Sequence, residues 1–510
     1  MVYQGPSRGC VSCKRRRKKC DETRPYCLRC TKGNRICGGY ESNPESIFRQ
    51  HEALGDSDTW PKPSIARKCS LPKRVPIPGS PVPSDGFPLE VSLAQSNLYS
   101  LQAFFYEYCI IPGHHSLSLG YLSGLEDLAV SLGLSSDVVK ACQAISCASL
   151  GKQMNRPYFV QRAETYHQDL LGSLAKTIQD SHQAHNNETM RLAMLLGLYQ
   201  IIIANDVEPG KHDVHAKGLA ALTDMGNSPL YLLRTVRQKG LKTTRNATVG
   251  QTSSKQPTTI EKPQKIAALF SVPSATRPDE SLDDLLLSLN DLWERSNSCS
   301  TLQDYLLIKD QCNAMNQRLA RWQTSRRPEF RSTTISSVPR SQKQDKTEVG
   351  YWAGNVDTYF DLYVAHVWNV FRTARLLLIA LMHRVWQACE MSADVDRLSE
   401  TARSLADDMI SSIPFHLVES LPDFIKDLST SEQIKHPGRA IGGLLLTHPL
   451  HIASNLPFLP EPTKQYMRDC LSWIGSCMGI GHASVLAEAR EIDHDSLMSA
   501  IVIVWSGFLG

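Results

Sequence analysis

The sequence of 510 residues predicts an all-α protein, made of a small cysteine-rich N-terminal module, a proline-rich linker and a large helical domain. Three observations support this class. Six regularly spaced cysteines lie near the N-terminus, nine prolines fall between residues 41 and 97, and apolar residues follow a helical period from about residue 98. The predicted boundaries are 1–40 for the module, 41–97 for the linker and 98–510 for the helical domain.

Hydrophobic periodicity carries the helical prediction. Between residues 192 and 203, and again between 364 and 385, apolar side chains recur every three or four residues, as on one helix face. Charged and histidine side chains interrupt the second stretch and argue against a membrane span. The apolar sets are Leu192, Leu195, Leu196, Tyr199, Ile202 and Ile203, and Val364, Val367, Phe371, Ala374, Leu378, Leu381 and Val385. Two polar segments, 237–280 and 323–349, are predicted to be disordered loops, and no clear strand pattern is present.

Charge is distributed unevenly along the chain. The formal net charge is +4, but residues 1–40 carry eleven Lys or Arg and only two acids, so the module alone holds +9. A basic end on a mildly acidic body favours a polyanionic partner. The N-terminal residues lack the apolar segment of a secretory signal, so we expect an intracellular protein without a disulfide scaffold.

The six N-terminal cysteines form two copies of one half-motif, C-x2-C-x6-C, joined by six residues. They are Cys10, Cys13, Cys20, Cys27, Cys30 and Cys37. A C-x2-C step lets two thiolates bind one metal ion, and tetrahedral thiolate sites favour zinc. Six ligands are two fewer than two separate tetrahedral ions require, so two thiolates must bridge. The first cysteine of each half, Cys10 and Cys27, is the symmetric choice.

Other interpretations of this module were weighed. The cysteines could form a disulfide knot or a zinc store, but the doubled spacing disfavours both. The basic run could be a nuclear import signal alone, although such a signal needs no metal cage. Forty residues cannot bury enough apolar surface to fold unaided, and structural zinc contributes on the order of 10–16 kcal/mol in small fingers. Metal therefore replaces the core.

Residues 10–37 closely resemble the fungal zinc binuclear cluster (Zn2Cys6) transcription factors. Four features carry the resemblance: the ligand spacing, the basic run after the second cysteine, "CDE" at Cys20–Glu22, and "RPYC", which ends at the fourth ligand. It implies bridging by Cys10 and Cys27, one zinc ion completed by Cys13 and Cys20, and a second completed by Cys30 and Cys37. It further implies two Zn²⁺ ions, double-stranded DNA as partner, CGG-type triplets as target, a nuclear location and no enzymatic activity.

The basic residues of the module are assigned to DNA. Each C-x2-C turn is expected to lead into a short helix, Lys14–Lys19 in the first half and Thr31–Arg35 in the second. Arg16 and Arg17 are the predicted base readers, because arginine donates to guanine O6 and N7 in the major groove. The predicted phosphate contacts are Lys14, Lys18, Lys19, Lys32 and Arg35. Where the family often has a lysine followed by an apolar residue, this chain has Arg17 and Lys18.

A weaker resemblance covers the C-terminal part. "GRAIGGLLLTHPLHIASN" at 438–455 and "YMRDCLSWIGSCMGIGHASVLAE" at 466–488 resemble the final helices of the fungal-specific transcription factor regulatory domain. The resemblance implies a helical regulatory or sensing domain over about 98–510. Gly442 and Gly443 are expected to allow close helix packing, and Pro449 to mark a helix end. The competing class is a helical ligand-binding or enzymatic protein that uses the finger only for nucleic-acid tethering, although no catalytic constellation is present.

Partner interactions beyond DNA remain open at this stage. Residues 41–60 show no sustained heptad repeat, which argues against a coiled coil after the finger. A homodimer is a candidate assembly only if its subunits associate in another way. The acidic, leucine-rich segment 279–296 has two interpretations: an activation helix that docks on transcriptional coactivators, or a helix that packs its leucines on the body. The pairs His212 and His215, and His448 and His451, are expected to be ordinary polar positions.

Overall fold

The computed structural model describes residues 13, 18–21, 27–33, 93–184, 186–205, 212–222, 229–230, 232–234, 269–270, 280–339, 348–390, 392–430 and 433–509. The chain divides into two compact units, residues 1–86 and 87–510, which we call the finger unit and the helical unit. Most of the predicted linker lies outside the described residues.

The described chain is mostly helical, as predicted. Among the described residues, the finger unit contains helix α1 (Leu28–Lys32). In the described part of the helical unit, the helices with complete bounds are α2 (Leu93–Tyr108), α3 (Leu125–Leu132), α4 (Asp137–Gln153), α5 (Pro157–Gln179), α6 (Ser181–Ala184), α7 (Asn187–Ile203), α8 (His212–Leu222), α9 (Leu282–Ser296), α10 (Leu302–Ser325), α11 (Leu362–Ala388), α12 (Ser392–Ser411), α13 (Ile413–Leu417), α14 (Leu421–Asp427), α15 (Ala440–Ser454), α16 (Glu461–Met478), α17 (Gly481–Glu488) and α18 (His494–Ser506).

One antiparallel hairpin interrupts the helices, where the sequence predicted a disordered loop over 323–349. Strand β1 (Thr333–Val338) pairs with β2 (Gly354–Thr358), and the register shifts between Thr334 and Ser336. The Thr334 hydroxyl donates a 2.7 Å hydrogen bond to the Asp357 carboxylate. Serine- and threonine-rich sequence resembles a loop by composition, but threonine and valine are also good strand formers when a partner strand is available.

The helical unit begins earlier than predicted, because α2 starts inside the segment assigned to the linker. Asn97, in the first turns of α2, explains this boundary. Its backbone carbonyl accepts a 3.1 Å hydrogen bond from the Gln143 side chain, and its amide oxygen accepts one of 2.9 Å from the Tyr166 hydroxyl. These contacts join α2 to α4 and α5, so the start of α2 belongs to the packed unit.

The two helices predicted from periodicity lie in the core. Every residue of the apolar set on α11 is buried, and α7 is buried on nearly all sides rather than on one face. Ile203, at the end of α7, is only partly buried. By length and composition α11 could span a membrane, but 78% of its most apolar window is buried inside the protein. Its apolar side chains therefore form the core on which α10, α12 and α15 pack.

Helix α15 is buried along its whole length and lies among α2, α11, α13, α16, α17 and α18. Its glycines allow this approach: a Cβ on Gly442 would lie 2.0 Å from the carbonyl oxygen of His416, and one on Gly443 would lie 2.6 Å from the Met478 sulfur. Pro449 lies inside α15 rather than at its end, so that part of the prediction is wrong. At the start of α15, the amide of Ala440 donates a 2.7 Å hydrogen bond to the carboxylate of Glu107, 333 residues earlier.

The acidic helix α9 packs its leucines on the body, against α10 and α11. Leu282, Leu285, Leu289 and Leu292 are buried, and the Ser281 hydroxyl accepts a 3.1 Å hydrogen bond from the Asp284 amide at the helix start. This arrangement supports the second of the two interpretations, in which the leucines belong to the core.

Three of the four paired histidines, His212, His448 and His451, are buried in the core, whereas His215 is only partly buried. His212, on α8, and His448, on α15, both lie near His482 of α17, at ring-centroid distances of 4.8 and 6.0 Å. Burial lowers the pKa of both His212 and His448, which favours the neutral rings. The Nε2 atom of His212 bonds the carbonyl of Ser496 at 3.1 Å.

Candidate metal centre and nucleic-acid interface

Cysteine thiols from both halves of the predicted motif meet in the finger unit. The Sγ atoms of Cys13, Cys20 and Cys27 all lie within 4.8 Å of one another. The Cys13 and Cys27 sulfurs are 3.7 Å apart, and the Cys13 and Cys30 sulfurs are 3.9 Å apart. Thiolates held at about 2.3 Å from a tetrahedral zinc ion are separated by roughly 3.8 Å. These sulfurs therefore already have the spacing that a shared metal centre requires.

The C-x2-C step of the second half closes a tight turn at the start of α1. The amide of Cys30 donates to the Cys27 sulfur at 3.3 Å and to the Cys27 carbonyl at 3.0 Å. This geometry turns both thiols to the same side of the chain. Helix α1 starts at Leu28 and ends at Lys32, so it lies earlier than the predicted helix Thr31–Arg35.

In the first half of the motif, most of the predicted helix Lys14–Lys19 lies outside the described residues. Cys13 is helical, and its carbonyl accepts a 3.1 Å hydrogen bond from the amide of Lys18. Lys18 and Lys19 themselves are not helical, which corrects the predicted helix Lys14–Lys19 at its C-terminal end. Four predicted contacts, Lys14, Arg16, Arg17 and Arg35, and two predicted ligands, Cys10 and Cys37, lie outside the described residues.

Thiols and cations are separated by burial. Cys13, Cys27 and Cys30 are at most 2% exposed, whereas Lys18, Lys19 and Lys32 are exposed. The apolar cluster of the described finger consists of cysteine side chains alone, with Cys20 at its edge. A cluster of soft thiols without an aliphatic core suits a structural metal ion, and the exposed ammonium groups suit an external polyanion.

Arg29 was not assigned a role by the sequence interpretation. Its backbone amide donates a 3.0 Å hydrogen bond to the Asp21 carboxylate, and its guanidinium Nη1 donates one of 2.9 Å to the carbonyl of Lys19. The bond to Lys19 joins the second half of the motif to the first, and the bond to Asp21 joins it to the link directly after the first half. The sequence signal was weak, since an arginine between two ligands resembles any other cation of the basic module.

Comparison with known proteins agrees with this geometry. Residues 8–46 match the fungal Zn(2)-Cys(6) binuclear cluster domain. Transcription factor dbaG of Emericella nidulans is 36% identical over 435 residues, which cover 84% of this chain and all of that protein. Transcriptional regulatory protein moc3 of Schizosaccharomyces pombe is 63% identical over 47 residues, covering 9% of this chain and 8% of that protein. No solved structure matches the chain significantly.

A buried thiol cluster with exposed lysines on the same module, in a chain that also matches the binuclear cluster domain, defines a zinc-dependent, DNA-binding transcription regulator. The chain belongs to the fungal Zn2Cys6 transcription factor family. Its cluster binds two zinc ions, which the cysteine thiolates of the finger hold.

Proposed function

We propose that this transcription factor reads CGG-type triplets in the major groove through Arg16 and Arg17. The observation that carries this proposal is the exposed lysine pair Lys18 and Lys19, which ends the basic run Lys14–Lys19 directly before Cys20 of the thiol cluster. Phosphate contacts at the end of the run would place its middle against the base edges. A guanidinium there can donate two hydrogen bonds to a guanine.

The proposed phosphate contacts are Lys14, Lys18, Lys19, Lys32 and Arg35. Support comes from the exposure of the described members, Lys18, Lys19 and Lys32. Six thiolates and two zinc ions sum to about −2, so the module still presents roughly +7 toward DNA. Such contacts supply affinity without sequence information and make binding strongly dependent on salt.

Within the metal centre, we assign Cys10 and Cys27 as bridging ligands, Cys13 and Cys20 to one zinc ion, and Cys30 and Cys37 to the other. The mutual approach of the Cys13, Cys20 and Cys27 sulfurs, all within 4.8 Å of one another, supports a shared ion for those three. Cys27→Ala should therefore remove ligands from both ions, whereas Cys30→Ala removes a ligand from one. Zinc stoichiometry by atomic absorption distinguishes them, and one full zinc ion retained in Cys27→Ala would contradict the bridging role.

The helical unit is proposed to regulate the finger, without enzymatic activity, in a protein of the nucleus. Its relatives are transcription factors, and its buried histidines belong to the core. The finger is proposed to cover 1–40 and the linker to begin at 41, and the helices of the helical unit begin at Leu93 rather than at 98. The candidate protein partners are transcriptional coactivators and a second copy of the chain. We propose no membrane partner.

The experiment that tests the base readers is selection of bound DNA from a random pool by the zinc-loaded full chain. We expect CGG-type triplets, and no enrichment in the presence of a chelator. Arg17→Ala should cost about 1–3 kcal/mol at one G·C pair and relax the preference there. Lys32→Ala is the matched control: it should weaken binding to all sequences alike and reduce the salt slope by about one. Equal losses on all sequences for Arg17→Ala would make Arg17 a phosphate contact.

A further inference from the structure

We infer that Asp21 and Arg29 form a clamp that holds the two halves of the finger in register and so positions Lys18 and Lys19 for DNA. This inference rests on the proposed phosphate contacts of those lysines. Asp21 and Arg29 are positioning residues, because they act on other parts of the finger.

The clamp consists of two hydrogen bonds that run in opposite directions. The Asp21 carboxylate, in the link directly after the first half, accepts a 3.0 Å hydrogen bond from the Arg29 amide in the second half. The Arg29 side chain returns to the first half and donates 2.9 Å to the carbonyl of Lys19. Asp21 and Lys19 precede Arg29 by eight and ten positions in the sequence. Neither bond uses a cysteine, so the clamp fixes the halves at points that the metal centre does not hold.

The position of the second bond connects the clamp to DNA contact. The Lys19 carbonyl belongs to the peptide bond that joins Lys19 to Cys20, and Cys20 lies in the thiol cluster. When this peptide is held in place, the exposed Lys18 and Lys19 also have a defined position relative to the thiol cluster. Arginine suits the task because its guanidinium keeps its charge and reaches a carbonyl with a fixed planar geometry.

The charge of Asp21 makes the inference testable by sign. Asp21 is an exposed acid in a module whose net charge is +9. By electrostatics alone, its removal should tighten binding to polyanionic DNA, since one repulsive charge is lost. The clamp predicts weaker binding instead. Without the Asp21 carboxylate, the Arg29 amide in α1 loses its acceptor, and the contact of the Arg29 side chain with the Lys19 carbonyl is weakened as well.

The experiment measures DNA affinity of the zinc-loaded full chain at fixed salt. Asp21→Ala should weaken binding about tenfold, the loss that corresponds to one charge-assisted hydrogen bond. Glu22→Ala is the matched control, since it removes the same charge from the neighbouring position, and its binding should be unchanged or tighter. If Asp21→Ala tightens binding as Glu22→Ala does, the clamp is refuted.

A second set of variants separates positioning from a direct phosphate contact by Arg29. If both residues act through one clamp, Asp21→Ala combined with Arg29→Met should lose much less than the sum of the single losses. Strict additivity would assign Arg29 an independent contact and overturn the inference. Failure of the proposed lysine contacts would be seen separately, as unchanged affinity and salt slope in Lys18→Ala and Lys19→Ala.

Folding of the metal centre is monitored by the cobalt–thiolate absorption of protein loaded with Co²⁺. Unchanged bands in Asp21→Ala would show that weaker binding does not reflect loss of metal. Should that variant lose its bands, Asp21→Asn, which retains an acceptor oxygen for the Arg29 amide, should restore both the bands and most of the affinity. Absence of this rescue would contradict a hydrogen-bonding role.

Discussion

The Asp283 carboxylate accepts hydrogen bonds of 2.8 Å from the amide of Leu269 and 3.2 Å from that of Phe270. Asp283 lies on α9 and is 6% exposed, and the ring of Phe270 is fully buried near Trp505 and Phe508. The hydroxyl of Tyr363 donates 3.0 Å to the carbonyl of Leu269. A buried acid thus anchors the backbone of Leu269 and Phe270 in the core of the helical unit.

The first prediction concerns the pH dependence of this anchor. Burial raises the pKa of Asp283 to about 6, although the two amides oppose the shift. The native state then binds this proton more tightly than the unfolded state. The stabilising contribution of that proton is complete below about pH 4 and is lost as the pH rises through about 6, on the order of 3 kcal/mol in all.

Asp283→Asn lacks this titration, so comparison of the two proteins isolates it. Denaturant unfolding, followed by the helical circular dichroism signal between about pH 4 and pH 8, gives the free energy of unfolding of each. The difference, wild type minus variant, should fall as the pH rises. A difference that grows with pH would show that the Asp283 pKa is lowered in the folded protein.

A second prediction tests the close packing of α15. Gly442→Ala forces a methyl group against the carbonyl of His416 and should destabilise the helical unit by about 1–3 kcal/mol or more. Gly172→Ala, on α5, meets no atom within 4 Å and should stabilise the unit by about 0.5–1 kcal/mol. Thermal unfolding measures both, and equal behaviour of the two variants would contradict the packing of α15.

The third prediction separates buried from exposed leucines. Leu285→Ala on α9 removes a fully buried side chain and should cost about 2–5 kcal/mol of stability. Leu307→Ala on α10, where the leucine is 61% exposed, should change stability by less than about 0.5 kcal/mol. A reporter assay adds the functional reading: loss of activation by Leu285→Ala at unchanged stability would favour the coactivator interpretation of α9.

The fourth prediction concerns metal removal. A strong chelator should abolish DNA binding, because the described finger has a core of cysteines and depends on zinc to fold. The unfolding transition of the helical unit should remain, since that unit has its own large apolar core. DNA titration and thermal unfolding of the same chelated sample measure both. Collapse of the helical transition together with DNA binding would show that zinc also supports the helical unit.

The parts of the protein that could be predicted are those specified by short-range pattern. Cysteine spacing predicts a metal centre, because the two ligands of a C-x2-C pair bind their ion from one short turn of the chain. The apolar period of α11 announces a core helix because its partners need only be apolar, and every residue of the predicted set is buried.

The parts that could not be predicted depend on distant partners. Pro449 stays within α15 because surrounding helices hold that helix in place, a constraint that no local rule contains. Strand β1 needs the pairing of β2 some twenty residues later. Asp283 has the sequence context of a surface acid, and its contacts with the amides of Leu269 and Phe270 follow from no local pattern.

The burial of α15 has a consequence for biosynthesis. Its neighbours include α2, near the start of the helical unit, and the Ala440–Glu107 hydrogen bond spans 333 residues. Contacts so far apart in sequence form late and slowly. While the ribosome is still making the last helices, the finger already holds all the ligands its zinc ions need. The finger can therefore bind zinc before the helical unit is complete, and a chain truncated ahead of α15 would keep the zinc ligands but lack the centre of the helical unit.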